Sequence, residues 1–460
     1  MLRTALFSLA ALLLGCERPF VEPQAPSVEL VSPADLGEVR AAQDLSLAFE
    51  ASSPSSGIDR VEVNGVPATF DRDDDRYLAT VRLEQGLNRI TVEAFDGLGT
   101  VGGDTLFAVF LPFQFASSET RLPGPVGGHA TTALADGTLL LTGGAGGAAE
   151  PARSDALLLD PSTLAFTSLR TPMLAARAGH AASLLPDGRV LITGGSAVVR
   201  PAGASAFVTT AELFDPSTRT FSEVPLVAAD GGLPIPVQRS GHTVAVLDSG
   251  EGDVSVYLYG GTANLGTADA PRLGPSPFMR RLVFEDGPSG PRLVAPNRSE
   301  GFRFAATSGH TQTPRADVGP DGFGRYLFAG ASDVSDPATP LPFELTFAPE
   351  TINTRFVGPL QTPRADHAAA RLAGPALSEN LVLFTGGLRA SDGAALPSGE
   401  VFAAEAAQSF RFADNTRLAA PRWGHTATNV GDARILVVGG FSASGTPLDL
   451  IELFTALPAR

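Results

Sequence analysis

The sequence predicts an all-β chain, with a small β-sandwich at the N-terminal side followed by a six-bladed β-propeller. Three observations predict it. The 460 residues include 50 Gly and 37 Pro, so turns must be frequent, while 43% are hydrophobic and only 18% charged. That balance builds packed β-structure and not a disordered chain. Six histidines, His129, His180, His242, His310, His367 and His425, recur 51 to 68 residues apart. Each is followed by an alternating apolar segment and then a glycine pair or near-pair, a self-similarity at the period of one four-stranded propeller blade.

The chain begins Met-Leu-Arg and continues with an apolar stretch from Ala5 to Leu14, ending Leu13-Leu14-Gly15-Cys16. A positive start and a short apolar segment define a secretory signal, too short for a stable span. Cys16 is the only cysteine, so no intrachain disulfide is possible. The Leu-Leu-Gly-Cys step resembles a bacterial lipobox, which makes residues 1–16 a lipoprotein signal peptide with its lipobox Cys and implies lipidation at Cys16 as the new N-terminus. The expected location is the cell envelope, with the membrane reached through lipid alone. Glu17, in place of Asp, favours the outer membrane. Residues 17–26 are then a tether.

Residues 27–110 carry short alternating segments at 27–31, 45–49, 61–63, 77–83 and 88–94, with Asn64-Gly65 as a hairpin turn between apolar runs. Their spacing predicts the sandwich. The stretch from Tyr77 to Gly97 resembles the last strands of bacterial immunoglobulin-like modules, which act as spacers or weak adhesive units.

Residues 111–460 hold the repeats. The clearest reads Arg177-Ala-Gly-His180, an Asp187-Gly188 turn, a strand ending in Gly194-Gly195, then Ala211-Glu-Leu-Phe-Asp-Pro-Ser-Thr. This resembles the kelch repeat of galactose-oxidase-like propellers, with Phe166 and Phe221 where that family carries Trp. The glycine pairs end at Gly144, Gly195, Gly261, Gly387 and Gly440, with Ala329-Gly330 in the fourth repeat, where Pro314 also interrupts the expected inner strand. The chain ends on a segment resembling a third strand, 450–454, and residues 114–122 read as the missing fourth strand that would close the ring.

Net charge is -16 and all 33 basic residues are Arg. An acidic chain without a basic run argues against nucleic acid and polybasic lipid binding, and the lack of Lys excludes Schiff-base chemistry. The six histidines invite a metal ring, but metal sites use clustered ligands. They are instead expected to be repeat-structural, bonding neighbouring backbone. No metal and no cofactor is expected. The run Asp71-Arg-Asp73-Asp-Asp75 opens like a calcium loop but has Arg76 and Arg82 where Gly and Glu are needed, so a solvated turn is expected. Asn297-Arg298-Ser299 matches a glycosylation triplet by chance.

Four blades place Arg three residues before His: Arg177, Arg239, Arg364 and Arg422. Third-strand positions carry Glu212, Glu344, Glu400 and Glu452. These groups are expected either to pair structurally or, for the arginines, to line a mouth that binds a carboxylate. The long second-to-third connections, at 196–209, 262–277 and 388–398, gather on the same face. The resemblance to galactose oxidase does not extend to its chemistry, because no mature Cys is free for the Tyr–Cys crosslink. Periplasmic sialic-acid epimerases are also six-bladed kelch proteins, but no acid–base pair of theirs can be placed here. The expected function is that of an envelope protein binding a protein or glycan, without catalytic residues. The alternative is a carbohydrate isomerase or lyase using Arg and Glu at the mouth.

Overall fold

The structure is a computed structural model. It describes residues 23–458 apart from 202, 230–236, 249–253, 267–269, 271, 289, 297–301, 316–323, 331–341, 348–350, 375–376 and 413–416. Cys16, the apolar segment before it and Asn297-Arg298-Ser299 lie outside the described residues.

The chain divides into two compact units. The first contains residues 1–34, 44–81 and 89–106, and the second contains 35–43, 82–88 and 107–460. In the first, one sheet orders Ser27–Ser32, Asp44–Ser52, Arg76–Arg82 and Thr69–Asp71. Alternation along Asp44–Ser52 turns Leu45, Leu47 and Phe49 inward, and Val61, Ile90, Val92 and Ala94 complete the core. Asn64 and Gly65 both adopt positive φ, at 50° and 75°. Those angles are required by the two-residue turn that pairs Val63 with Val66. The Asp71–Asp75 run is the turn between two paired strands, with Asp73 N–H donating to Asp71 Oδ1 at 3.0 Å.

The second unit is a propeller of six sheets. Blade one is Ala130–Ala133, Leu139–Thr142, Ala156–Leu159 and Phe166–Ser168. Blade two is Ala181–Leu184, Val190–Thr193, Ala211–Asp215 and Thr220–Val224. Blade three is built on Thr243–Asp248, Val254–Tyr259, Leu273–Gly287 and Gly290–Ala295, with Leu226–Ala228 added in parallel at its outer edge. Blade four is Thr311–Pro314, Arg325–Ala329, Phe343–Phe347 and Ile352–Phe356. Blade five is Ala368–Gly374, Leu377–Thr385, Gly399–Ala403 and Gln408–Arg411. Blade six joins Thr426–Asn429, Arg434–Val438 and Ile451–Ala456 to Phe113–Ser117 from the start of the unit. The first strands of successive blades touch in order, and that of blade six returns to blade one. The closing strand brings Phe113 within 4.5 Å of Phe412 and Phe115 within 4.9 Å of Phe454, ring centre to ring centre. Aromatic contacts of this kind add to the ladder that removes the sheet edge.

Blade four differs from its expected register. A Cβ on Gly194 would meet Arg239 O and His242 Cε1 of the next blade, both at 2.6 Å. The glycine that stands equally against Arg364 O and His367 Cε1 is Gly330. Gly330 is therefore the first of the pair and not the second, and Ala329 takes the place of Thr193. Pro314 does not break the inner strand. It ends it, opposite Tyr326.

Candidate functional site: the axial ring and its cavity

The residues before the histidines form a collar round the propeller axis. Gly128, Gly179, Gly241, Gly309 and Gly424 all have φ between 61° and 67°. Their peptide groups bond blade to blade. Gly241 N–H donates to Gly179 O, Gly179 to Gly128, Gly128 to Gly424, Gly424 to Asp366, and Asp366 to Gly309, all at 2.7–2.9 Å. Asp366 is the exception in kind. It occupies the glycine position of blade five at φ 50°, a left-handed conformation that costs a side-chain-bearing residue energy.

All six histidines are buried behind this collar. Each Nε2 bonds a threonine hydroxyl of the preceding blade, and the threonine comes from one of two positions. In blades one, two and five it directly precedes the glycine pair: Thr142 to His180 at 2.8 Å, Thr193 to His242 at 3.0 Å and Thr385 to His425 at 2.9 Å. In blades three, four and six that position is Tyr259, Ala329 or Val438. There the threonine follows the histidine: Thr243 to His310 at 2.9 Å, Thr311 to His367 at 2.9 Å and Thr426 to His129 at 3.1 Å. The two positions face each other across the first and second strands, as Ala130 and Thr142, Ala181 and Thr193, Thr243 and Tyr259, Thr311 and Ala329, Ala368 and Thr385, and Thr426 and Val438. One hydroxyl per pair suffices. The histidines thus tie blade to blade through side chains, where the sequence suggested backbone partners. Burial pulls His129 down to about 4 and His310 to about 3, and holds the other four well below 6.5. They are neutral links at neutral pH.

The arginines offered to a ligand are not available to one. Arg177, Arg364 and Arg422 are at most 1% exposed. Arg177 Nη1 donates to Gly194 O at 2.8 Å and Thr210 O at 3.1 Å, and Nη2 meets Glu212 at 2.5 Å. Arg364 repeats the pattern on Gly386 O, Ser398 O and Glu400, at 2.8, 3.0 and 2.7 Å. Arg422 does so on Gly439 O and Glu452. The carboxylates in turn accept from backbone three residues before each arginine, at Leu174, Gln361 and Ala419. These are buried ion pairs inside single blades, with Arg177 Nε alone among their guanidinium nitrogens lacking a partner, so of the two expected roles the arginines take the structural one and do not line a mouth. In blade four Arg315 pairs with Glu344. In blade three Arg239 is buried, with Nη1 at 3.2–3.4 Å from the carbonyls of Leu258, Gly260 and Phe278. Burial, and then the charge of Arg280, bring it down to about 10.

On the axis lies a cavity of about 550 Å³ whose wall includes the six collar positions and their histidines. The long loops of blades two and five add Arg200 and Arg389, both exposed. Arg200 lies 4.6 Å over the ring of Trp423, whose Nε1 donates to Ser442 O at 3.0 Å. Arg389 holds Asp392 at 2.9 Å. Asp366 keeps partial access to the cavity. The protein round it nevertheless raises its pKa by desolvation, against the opposing charge of Arg200. Sequence reasoning reached the loops and their face but missed these three side chains. The signal for Asp366 was present, since Arg364-Ala-Asp366-His367 breaks the Arg-x-Gly-His step.

No family model matches this chain and no curated protein matches it. Among solved structures it is similar to that described as "Structure of YjhT", with TM-score 0.51 and 15% identity over 73% of this chain and 96% of that chain. At that identity the likeness shows the fold: an all-β propeller.

Proposed function

We propose that this chain is a lipid-anchored cell-envelope protein of the kelch-propeller type, with an immunoglobulin-like module, that binds a glycan through its axial cavity. The observation that carries the reading is that cavity. Its volume of about 550 Å³ suits a small ligand, and it opens where the long loops of blades two and five converge. Arg200 and Arg389 supply donors for hydroxyl or carboxylate groups, and Asp366 supplies an acceptor. Loop side chains on a rigid ring are the usual place for recognition.

The test is calorimetric titration of the delipidated protein with neutral and acidic oligosaccharides. Binding that weakens at least about tenfold in the Arg200→Ala, Arg389→Ala double variant, with unfolding unchanged, supports the reading; about 1.4 kcal/mol is the corresponding loss. Failure of every saccharide to bind, or binding indifferent to both arginines, overturns it. In cells, Cys16→Ala should move the protein from the membrane to the soluble fraction. A carbohydrate isomerase or lyase is the second reading, favoured by the position of Asp366 on the cavity wall and the upward shift of its pKa, the direction that suits a carboxyl to proton transfer. Turnover on a sugar-acid panel that disappears in Asp366→Asn selects it.

A further inference from the structure

Blade one lacks the buried ion pair of blades two, five and six. Three residues before His129 stands Val126. Leu157 lies opposite Leu141, the register position that Glu212 holds opposite Ile192 in blade two. Pro123 occupies the place of Leu174, whose N–H serves Glu212, and proline has no N–H to give. The arginine and glutamate have thus been replaced by apolar side chains, and the first of the two backbone donors that serve Glu212, at Leu174 and Ala175, by a proline.

The space they would fill is open. A cavity of about 340 Å³ sits in blade one, walled by Val126, Leu141, Leu157 and Leu169. Gly143 and Asp155 also line it. They are the counterparts of Gly194 and Thr210, and of Gly386 and Ser398, whose carbonyls receive the guanidinium in blades two and five. Blade three shows that such carbonyls hold a guanidinium where no glutamate is in register, because Arg280 stands in that position beside the buried Arg239. Arg153 also borders the blade-one cavity, with Nη1 donating to Pro125 O at 3.3 Å, and the exposed Asp155 carries a carboxylate at the same edge.

We propose that blade one is a binding site for a small guanidino acid, shaped as the imprint of the arginine that blades two, three, five and six supply themselves. The guanidinium donates to the carbonyls of Gly143 and Asp155, the methylene stem packs on Val126, Leu141 and Leu157, and the acid end meets Arg153. This site is separate from the axial cavity and does not rest on the glycan reading.

The experiment titrates the delipidated protein with 4-guanidinobutyrate, butylguanidinium and butyrate by calorimetry. Guanidinobutyrate should bind most tightly, butylguanidinium about tenfold more weakly, and butyrate not measurably, since only the first engages both ends of the site. The Val126→Arg, Leu157→Glu double variant rebuilds the pair, fills the cavity and should abolish binding while its thermal midpoint stays at or above that of the parent. Arg153→Ala, at the accessible edge, should erase the preference for guanidinobutyrate over butylguanidinium. No binding at millimolar ligand, equal binding of butyrate, or binding that survives the filled cavity would each overturn the proposal. If the double variant fails to fold, the Arg153→Ala preference decides alone.

Discussion

Moving one hydroxyl across a strand pair tests the logic of the histidine ring. Thr193→Val keeps the volume of the side chain but takes from His242 Nε2 its partner at 3.0 Å. The imidazole is buried, so its ring nitrogen loses a bond that water does not replace. Leaving a buried polar atom unpaired costs about 1–3 kcal/mol. With a urea slope of about 3 kcal/mol/M, the unfolding midpoint should fall by roughly 0.3–1 M. Trp423, the only tryptophan, lies in the axial collar and reports the transition by fluorescence. The decisive variant adds Ala181→Thr. Position 181 faces position 193 across the strands, and Thr426 opposite Val438 serves His129 from the same place in blade six. The double variant should recover at least half of the lost stability, whereas Ala181→Thr alone should change it by less than about 0.5 kcal/mol. A double variant no more stable than Thr193→Val would refute the one-hydroxyl rule.

The neutral histidines also set a pH limit. Each is uncharged in the fold and takes up a proton near 6.5 when unfolded, so the unfolded state binds more protons below that pH and stability falls as pH drops. Full stability holds above about pH 7.5, and between pH 7.5 and 5.5 each histidine removes roughly 1.4 kcal/mol, or about 8 kcal/mol for six, read as a steep fall in urea midpoint. The loss should level off only toward the folded values, about 4 for His129 and about 3 for His310. Arg364→Ala strands the buried Glu400 carboxylate and should cost about 3–5 kcal/mol, measured by urea unfolding, while ligand affinity of the folded fraction stays unchanged. Asp366→Gly restores the glycine of the other five blades and should stabilise by about 1 kcal/mol through relief of the left-handed strain, while weakening any ligand of the axial cavity in calorimetry.

How far the sequence speaks depends on whether a position obeys the repeat. Arg177, Gly179, His180 and Gly195 recur at fixed offsets because each blade must present the same edge to the next. Periodicity alone therefore pointed to the blades and to the face expected to hold the long loops, while the collar emerged only from the structure. The partners were harder to read. Arg177 and Glu212 lie 35 residues apart and meet only when the third strand folds back beside the second. The choice between burial and a ligand was thus a matter of depth, which spacing does not encode. Blade four escaped for a local reason: Ala329 lies beside a single glycine, and only the contact of Gly330 with Arg364 O and His367 shows which glycine it is.

The departures from the repeat are where function becomes arguable. A repeat tolerates change wherever a neighbour compensates, as Thr243 compensates for Tyr259 and Thr426 for Val438. Asp366 and the Val126–Leu157 pair are different, because in neither case does the blade restore what was lost. Asp366 keeps a strained backbone and adds a poorly solvated carboxyl to the axial cavity. Blade one keeps its carbonyl acceptors and its space but not the arginine that uses them. An uncompensated loss in a structure that repeats its solutions, the collar glycine in five other blades and the buried ion pair in three, is a cost without a structural return. Binding is the return we propose for both, one through charge at the axis and one through an unfilled arginine socket.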